Sequence, residues 1–275
     1  EEVKGPMVAA FNEAFLSDDP QTQLLGSTLM GIIVLIYKQG GKPRDDLDSY
    51  RPITLLNCDV KLVAKVMARR FGVPLDSVID GTQTAFVPGR SIGDNVLYHL
   101  EAVEYFGAAH QSACMVGLDF AKAYDRVDRG WLRRCLEALG MPAKAIRWVD
   151  LLLTGTQGMV MYNGHLSPAF QIHAGCAQGS PLSPLLYVVA AQPLSSRFRQ
   201  LMREGMVSPL VLPGGSEAPP MHQHADDTTL HTRTVEDAGV LLDEAVQPFC
   251  AATGAELGLP KSWGLTLGTH PLLVG

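Results

Sequence analysis

The sequence contains no CxxC pair, no long apolar run and no excess of positive charge. Its five cysteines are far apart along 275 residues, so they predict neither a zinc framework nor a redox motif. They are typical of reduced, intracellular thiols packed in a core. The longest apolar stretch, residues 29–37, is too short to cross a bilayer, and no secretory signal opens the chain. The first residue is not Met, so we expect a piece of a longer protein.

The charge balance argues mildly against a nucleic-acid partner. Twenty-two basic and 28 acidic residues give a net charge of −6, whereas phosphate binding depends on Lys and Arg. An enzyme that holds metal ions through carboxylates needs positive charge only locally, so the local distribution matters more than the sum. A hydrophobic content of 47% with 18% charged residues excludes a disordered or fibrous chain.

Apolar periodicity predicts a limited set of helices and short strands. Helices are predicted at residues 60–71, 128–139, 143–153, 183–202 and 235–253. Strands are predicted at residues 113–118, 159–162, 165–172, 222–231 and 265–267. Asn163-Gly164 is a strong type I′ hairpin signal, while Asp128 and Thr234 are typical helix N-caps. These elements do not alternate strictly, so the sequence predicts an α+β fold and not a doubly wound α/β fold.

Basic side chains recur on one predicted helix face. Lys61, Lys65 and Arg69 are spaced by four residues with no acid between them on that face. A solvated helix surface is the usual meaning of such a stripe. The functional alternative is a surface that follows a nucleic-acid backbone.

Two acidic positions coincide with the ends of predicted strands. Asp119 follows the apolar run 113–118, and Asp226-Asp227 lies at a predicted turn between two short strands. Carboxylates brought together at one sheet edge can hold two Mg²⁺ ions for in-line phosphoryl transfer. An adjacent acid pair alone is usually only a polar turn.

Six motifs occur in order along the chain. They are YRPITLLN at 50–57, QTAFVPGRSIGDN at 83–95, LDFAKAYDRV at 118–127, NG at 163–164 with QGSPLSPL at 178–185, ADD at 225–227, and TG to KS at 253–262. Together they resemble the reverse transcriptases of non-LTR (LINE-type) retrotransposons. Each motif alone is weak, but the ordered set is highly specific.

The resemblance implies a right-hand polymerase fold with fingers and palm, an antiparallel palm sheet packed on helices, and a thumb that is absent or truncated. The implied divisions are fingers over 1–112, palm over 113–128, helices and a hairpin over 129–177, and palm again over 178–275. It also implies an RNA-directed DNA polymerase whose partners are an RNA template, a DNA primer, deoxynucleoside triphosphates and other domains of a parent polyprotein. No membrane partner is expected, and the implied location is the nucleus or a cytoplasmic ribonucleoprotein.

The same resemblance assigns catalytic and metal-binding roles. Asp119 and Asp226 would hold two Mg²⁺ ions, with Mn²⁺ as a possible substitute, and Asp227 would support them. The main-chain carbonyl of Phe120 would be a further ligand. Lys261 would be the general acid beside the leaving pyrophosphate.

Substrate contacts are assigned in the same way. Arg51 would grip the triphosphate, with Lys38 as a weaker candidate, because a guanidinium fork suits phosphate oxygens. Gln178 and Gly179 would touch the incoming nucleotide and template base, and Tyr124 would be the steric gate against a 2′-hydroxyl. By the same resemblance, Arg90 and Asn95 would position template or fingers loops. The helical stripe of Lys61, Lys65 and Arg69 is the candidate surface for contact with the nucleic-acid backbone.

The chain departs from the family pattern at three positions. His224 stands where a Tyr or Phe usually precedes Ala-Asp-Asp, Ala177 where a basic residue is common, and Ser180 where Cys is common.

A rival interpretation of His222, His224 and His231 is a transition-metal site, since imidazoles two apart on a strand share a face. Two alternative functions are a group II intron-type reverse transcriptase and a catalytically inactive nucleic-acid-binding remnant.

Overall fold

A computed structural model describes residues 4–17, 19, 24, 26–38, 40–109 and 111–268 of the chain. Its α-helices are α1 (Lys4–Leu16), α2 (Cys58–Leu75), α3 (Ile92–Ala108), α4 (Ala123–Arg126), α5 (Arg129–Ala138), α6 (Ala143–Leu153), α7 (Ser183–Arg203), α8 (Val235–Leu241) and α9 (Gln247–Thr253). Its strands are β1 (Met30–Tyr37), β2 (Tyr50–Leu55), β3 (Ala113–Leu118), β4 (Gln157–Tyr162), β5 (His165–Leu166), β6 (Phe170–Gln171), β7 (Met221–His224), β8 (Asp227–Thr232) and β9 (Trp263–Leu267). Among the described residues, no helix combines the length and apolarity needed to cross a membrane.

The first compact unit comprises residues 1–70 and 136–183. Its sheet has the strand order β2-β1-β4-β5, with β6 also paired to β4. The apolar run MGIIVLIY forms the inner strand β1, which pairs antiparallel with β2 and parallel with β4. β-Branched side chains suit such a half-buried inner strand. Helices α1 and α6 meet where the Trp148 indole donates to the carbonyl of Phe15 at 2.8 Å.

The second compact unit comprises residues 71–135 and 184–275. Its four-stranded sheet is antiparallel throughout, in the order β7-β8-β3-β9. Strand β3 is apolar and central, which explains why five of its six residues are buried. Helix α3 packs against β7 and β9, and the long helix α7 contributes several fully buried side chains, among them Leu194, Phe198 and Leu201. The predicted α+β class with an antiparallel palm sheet is therefore confirmed.

The predicted helix N-caps and the predicted hairpin turn are present in the structure. The Asp128 carboxylate accepts from the Trp131 backbone N–H at 2.6 Å, and the Thr234 hydroxyl accepts from the Asp237 N–H at 3.0 Å. Asn163 and Gly164 have φ values of 48° and 79°, as a type I′ turn requires. The predicted helix over 235–253 is interrupted by a π-helical turn, Leu242–Val246.

The compact units divide the chain at points other than the predicted domains. Residues 71–112, which we grouped with the fingers, belong to the unit that carries the Asp119 strand. The reason is that the loop at 82–84 hydrogen-bonds to Gln223 on β7 and α3 packs on the same sheet. Cys58 is exposed, so core packing holds for Cys114, Cys135 and Cys176 but not for every cysteine.

Candidate active site

Three carboxylates meet at one edge of the antiparallel sheet in the second unit. Asp119 follows β3, Asp227 begins β8, and Asp226 lies in the turn between β7 and β8. The register pairs Leu118 with Thr228, so one step further along the antiparallel pair sets Asp119 opposite Asp227. The sheet thus brings together acids more than 100 positions apart in the sequence.

The electrostatics of the site favour a positive partner. Burial raises the pKa of Asp226, and the like charges of Asp227 and Asp119 raise it further, while His224 acts in the opposite direction. A carboxylate that is partly desolvated beside two others is stabilised by a cation. Three hard oxygen donors of this kind match the preference of Mg²⁺.

The Asp119 carboxylate has a well-defined set of neighbours. The Lys261 ammonium donates to Asp119 Oδ2 at 3.1 Å, and the Ser262 hydroxyl accepts from the Asp119 backbone N–H at 3.2 Å. The Gly258 N–H donates to the Asp119 carbonyl at 2.7 Å. The segment around Lys261 therefore holds Asp119 from the main chain as well as from the side chain.

The turn that carries Asp226 is held by a residue to which sequence reasoning gave no such role. Gln83 is 1% exposed, and its Oε1 accepts from the N–H of Ala225 at 2.9 Å and from that of Ala85 at 3.0 Å. Ala225 has a φ of 57°, a left-handed conformation that a non-glycine residue adopts only when its surroundings enforce it. Gln83 belongs to the motif at residues 83–95, but the sequence of that motif does not predict its hydrogen bond with the Ala225 N–H.

Gln223 organises the other side of the same turn. Its carbonyl accepts from the Thr84 N–H at 2.9 Å and from the Asn95 amide at 3.0 Å. Its own side chain is 2% exposed and bonds to the hydroxyls of Ser195 and Thr228 at 3.2 and 3.1 Å. Strand β7 is thereby tied to α3, α7 and β8 immediately before the carboxylates.

Arg90 and Asn95 are structural members of this region. The Arg90 guanidinium donates to the carbonyls of Asp76 at 2.9 Å, Ile79 at 3.0 Å and Gln83 at 2.9 Å, and its side chain is 15% exposed. Asn95 is 5% exposed. These contacts favour a loop-positioning role for both residues. A direct contact between Asn95 and nucleic acid is at odds with the burial of its side chain.

His224, the residue that replaces the usual aromatic, is accommodated by polar contact. Its Nδ1 lies 3.1 Å from the Thr84 hydroxyl, and its ring lies 6.4 Å from that of Phe86. The hydrogen bond is one that a Phe could not make. His224 thus joins the Gln83–Thr84 loop to the end of β7.

Tyr124, the predicted gate, stands on a second tyrosine. The rings of Tyr124 and Tyr187 stack at 4.8 Å with an interplanar angle of 23°. Burial, followed by the charge of Asp226, raises the pKa of Tyr187 well above its ordinary value. Tyr187 therefore stays neutral; its ring supports that of Tyr124, and its pKa responds to the charges of Asp226 and Asp227. Phe120 is buried and packs on Phe249 at 6.0 Å.

Four of the predicted nucleotide contacts, Lys38, Arg51, Gln178 and Gly179, lie in the first unit. The Thr54 N–H donates to the Gln178 carbonyl at 2.7 Å, so the QGS turn is joined to the strand that carries Arg51. Gly179 has a φ of 130°, and a Cβ there would lie 2.3 Å from the Thr54 carbonyl oxygen, so only glycine fits. The Lys38 ammonium donates to the carbonyl of Asp48 at 2.9 Å. The Gln178-Gly179 turn thus lies against Thr54, on the strand that also carries Arg51.

The basic stripe is an exposed surface of α2. Lys65 and Arg69 are exposed and Lys61 is half-buried, so the side chains lie on one accessible face. Their neighbours Leu62 and Val66 are also exposed, at 54% and 48%. A nucleic-acid contact by the stripe stays a prediction.

Solved structures similar to this one identify the class of fold. The structure of apo telomerase from Candida tropicalis truncated from its C-terminal domain has a TM-score of 0.61 and 14% identity, over 98% of this chain and 55% of that chain. The RNA-dependent RNA polymerase of a human picobirnavirus has a TM-score of 0.53 and 16% identity, over 86% and 42%. The fold is therefore that of a right-hand polymerase, with fingers and palm.

The sequence then identifies the family. Residues 36–266 match the family described as reverse transcriptase (RNA-dependent DNA polymerase), and the chain belongs to that family. It is 30% identical over 81% of its length to the transposon TX1 uncharacterized 149 kDa protein of Xenopus laevis. It is 25% identical over 84% of its length to the Pol polyprotein of the type-2 retrotransposable element R2DM of Drosophila melanogaster. It spans 17% and 20% of those relatives. The non-LTR resemblance is confirmed, and these relatives favour it over the intron-type alternative.

Proposed function

We propose that this chain is the catalytic core of a retrotransposon RNA-directed DNA polymerase that extends a DNA primer on an RNA template. The observation that carries the proposal is the convergence of Asp119, Asp226 and Asp227 at one sheet edge, within a chain of the reverse transcriptase family. The substrates are deoxynucleoside triphosphates.

The carboxylates fit a divalent metal site. Reverse transcriptases generally use divalent ions. Burial, with the added repulsion of Asp227 and Asp119, raises the pKa of Asp226, and a bound cation would offset both effects. Asp119 and Asp226 would hold two Mg²⁺ ions, with Asp227 in support and the Phe120 carbonyl as a further ligand. When bound, such ions neutralise charge on the transferring phosphoryl group and activate the attacking oxygen.

Lys261 is suited to act on the leaving group. The Lys261 side chain is 59% exposed and its ammonium lies 3.1 Å from Asp119 Oδ2, so it is accessible to substrate at the carboxylate edge. We assign it as the general acid that donates a proton to the departing pyrophosphate oxygen. Proton donation at that oxygen lowers the barrier to P–O cleavage.

Separate sets of residues would bind and select the nucleotide. Arg51 would bind the triphosphate through its exposed guanidinium, and Gln178 with Gly179 would present backbone and amide groups to the nucleotide and template base. Lys38 is a secondary phosphate candidate. Tyr124, backed by Tyr187, would exclude a 2′-hydroxyl by contact.

Nucleic acid would be held mainly by local positive charge. The stripe Lys61, Lys65 and Arg69 is accessible, whereas the whole chain carries a net charge of −6. We therefore expect primer-template binding to weaken steeply with salt, as counterion release requires. Because the curated relatives are much longer, we expect other domains of the polyprotein to contribute further contacts with the nucleic acid. We expect the protein to act in the nucleus or in a cytoplasmic ribonucleoprotein.

The test is incorporation of deoxythymidine on poly(rA)/oligo(dT) with Mg²⁺. We expect Mg²⁺-dependent extension by the wild-type chain and none by Asp226→Asn. A folded chain that binds primer-template but incorporates nothing would replace the polymerase with the inactive remnant. Equal extension by wild type and Asp226→Asn would instead contradict the site.

A further inference from the structure

Three histidines meet behind the carboxylate edge, between α3 and the palm sheet. His99, His222 and His231 each offer a ring nitrogen, and these nitrogens lie within 4.8 Å of one another. His224, which the sequence placed in a possible metal site, is not in this group. His99, which comes from α3, takes its place.

Strand geometry explains why two of these rings converge. The register pairs His222 with Thr229, and His231 is two residues further along β8, so the two histidines are diagonal neighbours on the same face. Their Nδ1 atoms are 3.3 Å apart. Helix α3 covers this face and adds the third ring.

The ring spacing matches three imidazoles around one ion. The three centroid separations are 5.0, 5.1 and 5.7 Å. With metal–nitrogen distances near 2.0–2.1 Å, tetrahedral ligation places ligand nitrogens about 3.3 Å apart and ring centres about 5 Å apart. The observed centroid separations agree with that arrangement, whereas ligand nitrogens up to 4.8 Å apart would have to move closer together.

The cluster also contains polar atoms that the surrounding protein does not satisfy. Within the described part of the chain, Nε2 of His99 and Nε2 of His231 are buried and have no hydrogen-bond partner, and His231 is 3% exposed. Buried polar atoms without partners are rare and call for an explanation. Metal ligation through Nε2 would account for the unpartnered atom of His99. It would not account for that of His231, whose Nδ1 faces His222, because one imidazole binds an ion through only one nitrogen.

The histidines are in the protonation state that metal binding requires. Burial lowers the pKa of His222 to about 4 and lowers that of His231 well below its ordinary value, and it also lowers that of His99. All three rings are neutral at pH 7 and keep a lone pair for a metal. Tyr98 packs over two of them, with ring centroids at 4.2 and 4.9 Å.

We propose that His99, His222 and His231 form a binding site for a transition-metal ion, Zn²⁺ being the expected occupant. Three neutral imidazoles select borderline ions such as Zn²⁺ over Mg²⁺, which prefers carboxylates. The fourth position is left for water, as in other three-ligand zinc sites. Bound metal would join α3 to β7 and β8 just before Gln223, and so stabilise the sheet that carries Asp226.

The first measurement uses the 275-residue chain itself, stripped with a chelator and titrated with ZnCl₂ and CoCl₂. We expect one zinc per chain, a rise in thermal midpoint with Zn²⁺, and the intense visible absorption of four-coordinate Co²⁺. Absence of stoichiometric binding would overturn the proposal and leave a hydrogen-bonded histidine pair.

The second measurement locates the ion. His99→Gln and His222→Gln each remove a proposed ligand. Removal of a residue that only hydrogen-bonds to a ligand lowers metal affinity by about 10- to 100-fold, so we expect each of these variants to weaken Zn²⁺ binding by more than that. His173→Gln, at an exposed histidine, should bind like wild type. Asp226→Asn should also keep the Zn²⁺ and Co²⁺ signals. Loss of those signals in Asp226→Asn, or wild-type binding by both ligand variants, would place the ion elsewhere and refute the site, whatever the polymerase assay shows.

Discussion

Gly258 lies so close to Asp119 that a side chain at position 258 would occupy the place of the carboxylate. A Cβ there would be 2.2 Å from Asp119 Oδ2 and 3.2 Å from its Cγ. The φ of Gly258 is −84°, so the requirement for glycine comes from this contact and not from the backbone. Gly258 is therefore a positioning residue for Asp119, the proposed catalytic acid.

We expect Gly258→Ala to lower incorporation by about 100-fold with little change in thermal midpoint. The Asp119 carboxylate can rotate away from the new methyl group, which preserves the fold but misplaces a metal ligand by about 1 Å, and such a displacement can cost about 100-fold in rate. Steady-state extension measures the effect. The control is Gly264→Ala, where a Cβ meets nothing within 4 Å. Equal activity of the two variants would contradict the positioning role.

Asp226→Asn should abolish incorporation while raising the stability of the chelator-treated protein. The amide is a much poorer Mg²⁺ ligand, and its neutrality removes repulsion with Asp227 and Asp119. Because the pKa of Asp226 is raised in the folded state, its charged form opposes folding at neutral pH. Thermal unfolding with EDTA at pH 7 should give a higher midpoint for the variant. A lower midpoint would refute this electrostatic account.

Tyr124→Val should increase the use of ribonucleotides relative to deoxyribonucleotides. The smaller side chain opens the space that a planar ring denies to a 2′-hydroxyl, so the ratio of kcat/KM values should change more than the deoxyribonucleotide rate itself. Single-nucleotide extension measures the ratio. Tyr187→Phe keeps the stack and should preserve wild-type discrimination. An unchanged ratio in Tyr124→Val would remove Tyr124 as the gate.

Gln83→Met should destabilise the chain and slow incorporation together. Methionine conserves volume but leaves the buried N–H of Ala225 without its acceptor, at a cost of about 1–3 kcal/mol in the free energy of unfolding. Loss of that bond also releases the left-handed turn beside Asp226, so kcat should fall more than KM rises. Urea unfolding and extension kinetics test both effects. Wild-type kcat in a destabilised variant would limit Gln83 to a structural role.

Asp80→Asn should lower stability by about 1–3 kcal/mol at pH 7. Burial alone would raise the pKa of Asp80, but hydrogen bonds from Arg199 and Thr82 outweigh it and hold the pKa below 3.8. The depressed pKa contributes stability that is present above 3.8 and lost as pH falls through the folded value. The difference in the free energy of unfolding between wild type and variant, measured in urea, should therefore become smaller as the pH is lowered. Asp76→Asn, at a side chain 57% exposed, is the control with a small effect.

Elements with strong local signals were predictable without tertiary information. The strand that ends before Asp119, the caps at Asp128 and Thr234, and the Asn163-Gly164 turn all depend on neighbours within a few residues. The inner strand β1 was not predicted, although its apolar run was noted. A continuous apolar run without alternation does not distinguish a buried strand from a buried helix.

The proposed catalytic acids followed from the ordered motifs, because those residue types at those spacings are specific as a set. What the tertiary structure alone decided is how each acid is held. Gln83 reaches Ala225 across 142 positions, and Gly258 meets Asp119 across more than 100. His99 likewise joins His222 and His231 only because α3 packs on β7. Contacts between distant residues arise from sheet register and helix packing, which leave no periodicity in the sequence, and so no local pattern could have indicated them.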